Sequence, residues 1–320
     1  MRHPRLCRLL VGVTMLMIAG CGNEAPQVAL DADTLLARGA EEAGRFSWDT
    51  AAVAFADAEK AAAAGSLQRT KATYGRAVVA HQRTPASAAT IAEAETLYRQ
   101  VVADTPTSSE AGLATYGLGQ IAAASDYFED DEDLPKAREL FSKTVDGWAG
   151  QEAGSLAALA LADAWAATLK PEDMRHGCEL LEAWLAKYPA DPYAVVDWQW
   201  LGNTWQVGLG DSAKAVACFR EADKLGLVPN GRQHEILWRI ARMAERDLGD
   251  KQLAAEYYRR LIIERPSSGK GWEAQQRLIA LGEQPPELKL YDEGAVKRAL
   301  AAAQAKDAAE PAPPKKEATP

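Results

Sequence analysis

The stretch from Val196 to Pro266 constrains the chain more than any other, because it repeats. It reads Trp198-Gln-Trp-Leu201-Gly202-Asn-Thr-Trp205, then Gly210-Asp211, then Ala215-Val-Ala-Cys-Phe219-Arg-Glu-Ala222. The same order returns as Trp238-Arg-Ile-Ala241-Arg242, Gly249-Asp250 and Ala254-Ala-Glu-Tyr-Tyr258-Arg-Arg-Leu261, closing at Pro266. Trp272 then starts again 34 residues after Trp238. At about 100° per residue, Trp198, Leu201, Gly202 and Trp205 share one side of a helix. Ala215, Phe219 and Ala222 form the facing stripe on a second helix, and Gly202 lets the two approach closely. Gly210 and Gly249 suit the left-handed residue that ends a helix. Asp211 and Asp250 suit the N-cap of the next one. A fixed period with caps at fixed places describes stacked helical hairpins, each burying its apolar faces on its neighbours.

This pattern resembles the tetratricopeptide repeat, whose helix–turn–helix unit carries W-x2-L-G-x2-Y, then A-x3-F, then a late Pro. The resemblance implies an all-α, right-handed α-solenoid of about six units with C-terminal capping helices. No stretch has a convincing strand period, and alanine-rich composition favours close helix packing. Earlier units are expected around Gly39, Ala51, Phe55 and Ala58, then around Tyr74, Gly75, Ala94, Tyr98 and Pro106. A third is expected around Tyr116, Leu118, Gly119, Ala137 and Phe141. The fourth is the most degenerate, with Leu161, Trp165, Gly177, Leu181, Trp184 and Pro189. The solenoid is expected over residues 31–282, a capping helix over 283–306 with the stripe Tyr291, Ala295, Leu300 and Ala303, and a disordered tail over 307–320.

Residues 1–20 stand apart. Arg2, Arg5 and Arg8 precede an apolar run, Leu9 to Ala19, too short to span a bilayer. The run ends Ile18-Ala19-Gly20-Cys21, which resembles the lipobox of bacterial lipoproteins. That resemblance implies cleavage before Cys21, lipid on its thiol and a linker over 21–30. Gly22 stands where an inner-membrane retention Asp would be, so a periplasmic address on the outer membrane is expected. The whole chain carries a net charge of −9; the leader holds three arginines and no acid, which takes the mature chain to −12. That balance argues against general nucleic-acid binding. Once Cys7 leaves with the leader and Cys21 is lipidated, only Cys178 and Cys218 remain, either as buried thiols or as a pair permitted by an oxidising compartment.

Signs of catalysis are missing. His81, His176 and His234 lie in different repeats without metal-ligand spacing, and His176-Gly177-Cys178 supplies at most two ligands. No nucleophile elbow, P-loop or dinucleotide fingerprint occurs. No enzyme, cofactor, metal or small-molecule substrate is expected. The acidic run Asp126 to Asp133 lacks the Gly and terminal Glu of an EF-hand and reads as a solvated loop, with Tyr127 and Phe128 either tucked beneath it or touching a partner. Trp165, Trp198, Trp205, Trp238 and Trp272 are assigned to core packing.

In the repeat family, the outer side of each first helix lines a concave groove for extended or helical peptide segments. Here that side would carry Gln199, Trp200, Asn203 and Gln206, then Arg239, Ile240, Met243 and Arg246, then Lys270 and Arg277. Trp200, Ile240 and Met243 would form an apolar floor within a polar and cationic border. Gln199 stands where carboxylate-clamp members of the family carry Lys, and Ile240 and Ala274 fill two other clamp positions, so that mode is not expected. The expected function is a non-catalytic, membrane-anchored interaction scaffold for other envelope proteins. The alternative is a glycan- or peptidoglycan-binding accessory lipoprotein.

Overall fold

The computed structural model describes residues 30–124, 133–227 and 232–288. The leader and Cys21, most of the acidic run with Tyr127 and Phe128, and the expected capping helix and tail lie outside the described residues. Those described form thirteen α-helices and one π turn, with no strand among them. They fall into two compact bodies, one ending at Tyr193 and the other starting at Ala194.

The first body holds four helical hairpins. They are α1 (Ala32–Gly44) with α2 (Trp48–Ala61), α3 (Leu67–Gln82) with α4 (Ala88–Asp104), α5 (Ser109–Ala122) with α6 (Leu134–Gly147), and α7 (Glu152–Ala166) with α8 (Pro171–Lys187). Each helix packs on the next, and each first helix also packs on the first helix of the following hairpin. Short polar residues start most of these helices by accepting a hydrogen bond from the third helical N–H: Asp31 from Thr34 at 2.8 Å, Ser66 from Arg69 at 3.2 Å and Ser108 from Ala111 at 3.0 Å. Ser87 and Thr90 form a reciprocal capping box, and Pro171 opens α8 where no amide partner is needed.

Aromatic rings lying on glycines hold the hairpins together. A methyl group on Gly39 would come within 2.7 Å of the Phe55 ring, and one on Gly75 within 2.5 Å of the same ring. Gly119 meets Phe141 in the same way at 2.5 Å, and Gly117 meets Tyr98 at 2.7 Å. Only hydrogen leaves room for a ring face there, which is why the repeat places Gly in its first helix and an aromatic residue in its second. Each ring so buried contributes roughly 1.5–3 kcal/mol.

The second body comprises α9 (Ala194–Asn203), the π turn (Thr204–Gly208), α10 (Ser212–Lys224), α11 (Gln233–Arg246), α12 (Lys251–Glu264) and α13 (Gly271–Ala280). Gly210 and Gly249 both have φ of +67°. Asp211 and Asp250 cap the next helices at 2.9 Å each. Gly202 lies on Phe219, at 2.6 Å for an added methyl. The helix that carries Trp198, Leu201 and Gly202 ends at Asn203 and gives way to the π turn, which carries Trp205. Twelve residues separate Trp198 from Gly210 but eleven separate Trp238 from Gly249. The extra residue falls where the chain forms the π turn Thr204–Gly208, whereas α11 stays α-helical to Arg246.

The left-handed position that holds glycine in these two turns is filled by Phe46 (φ +62°) and Leu169 (φ +58°) in the first body. Trp272 also departs from expectation. Trp205 is buried, and Trp238 packs on Tyr258 of its own hairpin with ring centroids 5.5 Å apart. Trp272 is 66% exposed among the described residues. Cys178 and Cys218 are both buried and neither forms a disulfide.

Candidate interaction site

The sequence places a binding groove along α9 and α11, and the structure divides its residues into three groups. Ile240 and Met243 are 0% and 1% exposed, so they belong to the core and cannot serve as an apolar floor. Their side of α11 is covered because Leu237, Ile240, Ala241 and Ala244 bury it as one stripe. Trp200 and Gln199 are half-buried, and Ala274 is buried.

Three of the four cations in the border are neutralised within their own helix ends or by the adjacent helix. Arg246 Nε donates to Asp247 at 2.7 Å, and Asp247 also accepts from the Ser212 hydroxyl at 2.7 Å. These bonds raise Arg246 above its ordinary value and hold the Asp247 carboxyl below its own. Lys270 Nζ lies 3.1 Å from Glu273 and 4.7 Å from the Trp238 ring. Arg277 lies 3.5 Å from Glu245, which also accepts from Tyr258 Oη at 2.6 Å and Arg242 at 3.0 Å.

Arg239 differs. Its Nε donates to Gln206 Oε1 at 2.8 Å, Nη2 donates to the same oxygen, and Nη1 donates to Asn203 Oδ1 at 2.5 Å. The guanidinium carbon lies 4.4 Å from the centre of the Phe219 ring, a cation–π contact. Among the described residues no carboxylate lies within ion-pair distance of Arg239. Burial lowers its pKa, and the charge of Glu235 acts in the opposite sense. The group remains charged. Three of its five donors bond to neutral amides, leaving two N–H groups and an undivided positive charge on a half-buried surface. The π turn carries Gln206, and Asn203 ends the helix before it, so the inserted residue sits where Arg239 is held.

Sequence spacing thus brings together Asn203, Gln206 and Arg239 but misses what partners the other cations. It offers a signal for two of them, since Arg246-Asp247 are adjacent and Lys270 precedes Glu273 by three. Nothing in the sequence pairs Arg277 with Glu245. Among the described residues no group of three His, Cys, Asp or Glu side chains could hold a metal ion, and no helix is long and apolar enough to cross a membrane.

No protein-family model and no curated protein matches the chain. Solved structures do resemble it. The pilF protein of Pseudomonas aeruginosa aligns with a TM-score of 0.50 at 17% identity, over 77% of this chain and 97% of that one. The fold is that of the tetratricopeptide-repeat proteins. PilW, described as a widely conserved type IV pilus biogenesis factor, aligns at 0.49 and 18% identity over 78% and 99% of the two chains. A tetratricopeptide-repeat protein from Parabacteroides merdae ATCC 43184 aligns at 0.44 and 14%, over 80% and 86%. At such identities the likeness speaks for architecture alone, the stacked helical hairpins described above.

Proposed function

We propose that this chain is a non-catalytic, lipid-anchored scaffold that binds other envelope proteins on the periplasmic side of the outer membrane. The Arg239 arrangement carries the reading. A guanidinium held by Asn203, Gln206 and the Phe219 ring, with two donors unspent, is preorganised for an acidic or carbonyl-rich segment of a partner. Val207 beside it is 80% exposed and offers apolar contact. Ile18-Ala19-Gly20-Cys21 supports the anchor, and the repeat fold supports binding rather than chemistry.

The test is a photo-crosslinking amino acid at Val207 in intact cells. Discrete adducts are expected that disappear with Arg239→Glu and weaken with Arg239→Lys, both variants keeping the helical circular dichroism of the parent. An adduct pattern unchanged by Arg239→Glu overturns the site. Separately, Cys21→Ser should leave the protein unprocessed or released from the membrane fraction. Normal processing with full membrane retention overturns the anchor.

A further inference from the structure

The first body contains a feature that the scaffold role does not use. Where the α1–α2 turn approaches the end of α3, an open cleft of about 740 Å³ is lined by Phe46, Trp48, Asp49, Gln82, Arg83 and Pro85, with Ser47, Thr50 and Thr84 between them. Phe46 and Trp48 stand edge to face, with centroids 5.7 Å apart and planes at 82°. Arg83 Nη2 donates to Asp49 Oδ1 at 2.5 Å, linking α3 to the start of α2.

Phe46 is the informative residue. It occupies the left-handed turn position that Gly210 and Gly249 fill elsewhere, and 57% of it is exposed. A bulky residue there strains the backbone, and leaving a ring in water adds little to stability. Leu169 has the same conformation in its own turn. Phe46 differs in standing edge to face with Trp48 in a cleft that also carries Asp49, Gln82 and Arg83.

We propose that this cleft binds a saccharide, with the apolar face of a sugar ring against the exposed Phe46 ring and its hydroxyls on Asp49, Gln82 and Arg83. The lining chemistry selects that class. Arg83 donates only, Asp49 accepts only, and Gln82 does both, which matches vicinal hydroxyls that each donate and accept. Phosphate is disfavoured because Asp49 neutralises Arg83. A peptide is the competing occupant, and the titration below separates the two classes. The cleft shares no residue with the Arg239 site, so neither stands or falls with the other.

Isothermal titration of the full-length protein with triacetylchitotriose, cellotriose and maltotriose tests it, with a proline-rich peptide of similar size as the competing class. At least one trisaccharide should bind at a single site. Phe46→Gly, which removes both ring and strain, should raise the melting temperature and weaken that binding about tenfold or more. Leu169→Gly should raise the melting temperature and leave binding intact. Arg83→Gln and Asp49→Asn should each weaken binding. No heat with any trisaccharide, binding that survives Phe46→Gly, or binding of the peptide alone overturns the proposal.

Discussion

Replacing Gly202 by alanine sets two opposed effects against each other. In an exposed helix interior the change would stabilise by about 1 kcal/mol, since glycine is the poorer helix former. Here the added methyl would come within 2.6–2.8 Å of three ring carbons of Phe219, which is fully buried and has the Arg239 guanidinium 4.4 Å from its ring centre. Overpacking a filled contact costs about 1–3 kcal/mol. The net expectation is a loss of up to about 2 kcal/mol, or up to about 8 °C in melting temperature. Thermal melts by circular dichroism should show it against Gly44→Ala as the control. Gly44 ends α1 with no atom within 4 Å of an added methyl, so that variant should hold its melting temperature or gain. Phe219→Leu should relieve the crowding, so that the double variant with Gly202→Ala loses less than the two single losses added. A rise in melting temperature with Gly202→Ala, equal to the Gly44→Ala control, would refute the packing argument.

Three further outcomes are expected. Ile240→Ala should destabilise by about 2–5 kcal/mol, because Ile240 is core rather than groove; a surface-like change in urea unfolding, below about 0.5 kcal/mol, would contradict its burial. Burial first, then the Asp223 carboxylate, raise the Tyr257 phenol to about 12. Its contribution to stability is therefore complete below the ordinary tyrosine value near 10 and is lost as pH rises towards 12; burial raises Tyr98 and Tyr258 as well, so phenolate absorbance should show several late-titrating tyrosines that turn ordinary in urea, and Tyr257→Phe should remove one equivalent of the change near pH 12. Cys178 and Cys218 should resist a thiol reagent in a form of the chain starting at Gly22 until denaturant is added, and rapid reaction of either in the native state would contradict its burial.

Much of the architecture is legible because the repeat writes it into residue type. Gly210, Gly249, Asp211, Asp250 and the Gly202–Phe219 pair each have a local reason to be where they are, and each reason is visible within a few dozen residues of sequence. The π turn is legible only as a one-residue discrepancy between two spacings, which periodicity smooths over. Ile240 and Met243 fail for a different cause. An average repeat assigns them to the groove, but on α11 the apolar stripe is wide enough to take both into the core. Repeat position alone puts Trp272 in the core, whereas its burial depends on whether the chain beyond α13 covers it. Charge pairing across 32 residues, as in Arg277 with Glu245, depends on tertiary geometry and leaves no mark on spacing.

The Phe55 ring lies on Gly39 of its own hairpin and on Gly75 of the next, so two hairpins rest on one side chain. When α2 opens, it takes from α3 the surface that α3 was folded against, and α3 becomes as frayed as a terminus. Part of the cost of releasing the first hairpin thus falls on the second, and opening spreads inwards along the chain rather than stopping at a turn. In native-state hydrogen exchange, the amides of α1, α2 and α3 should then exchange as a single block. Phe55→Leu should split that block, lowering protection in all three helices while leaving α5 and α6 unaffected.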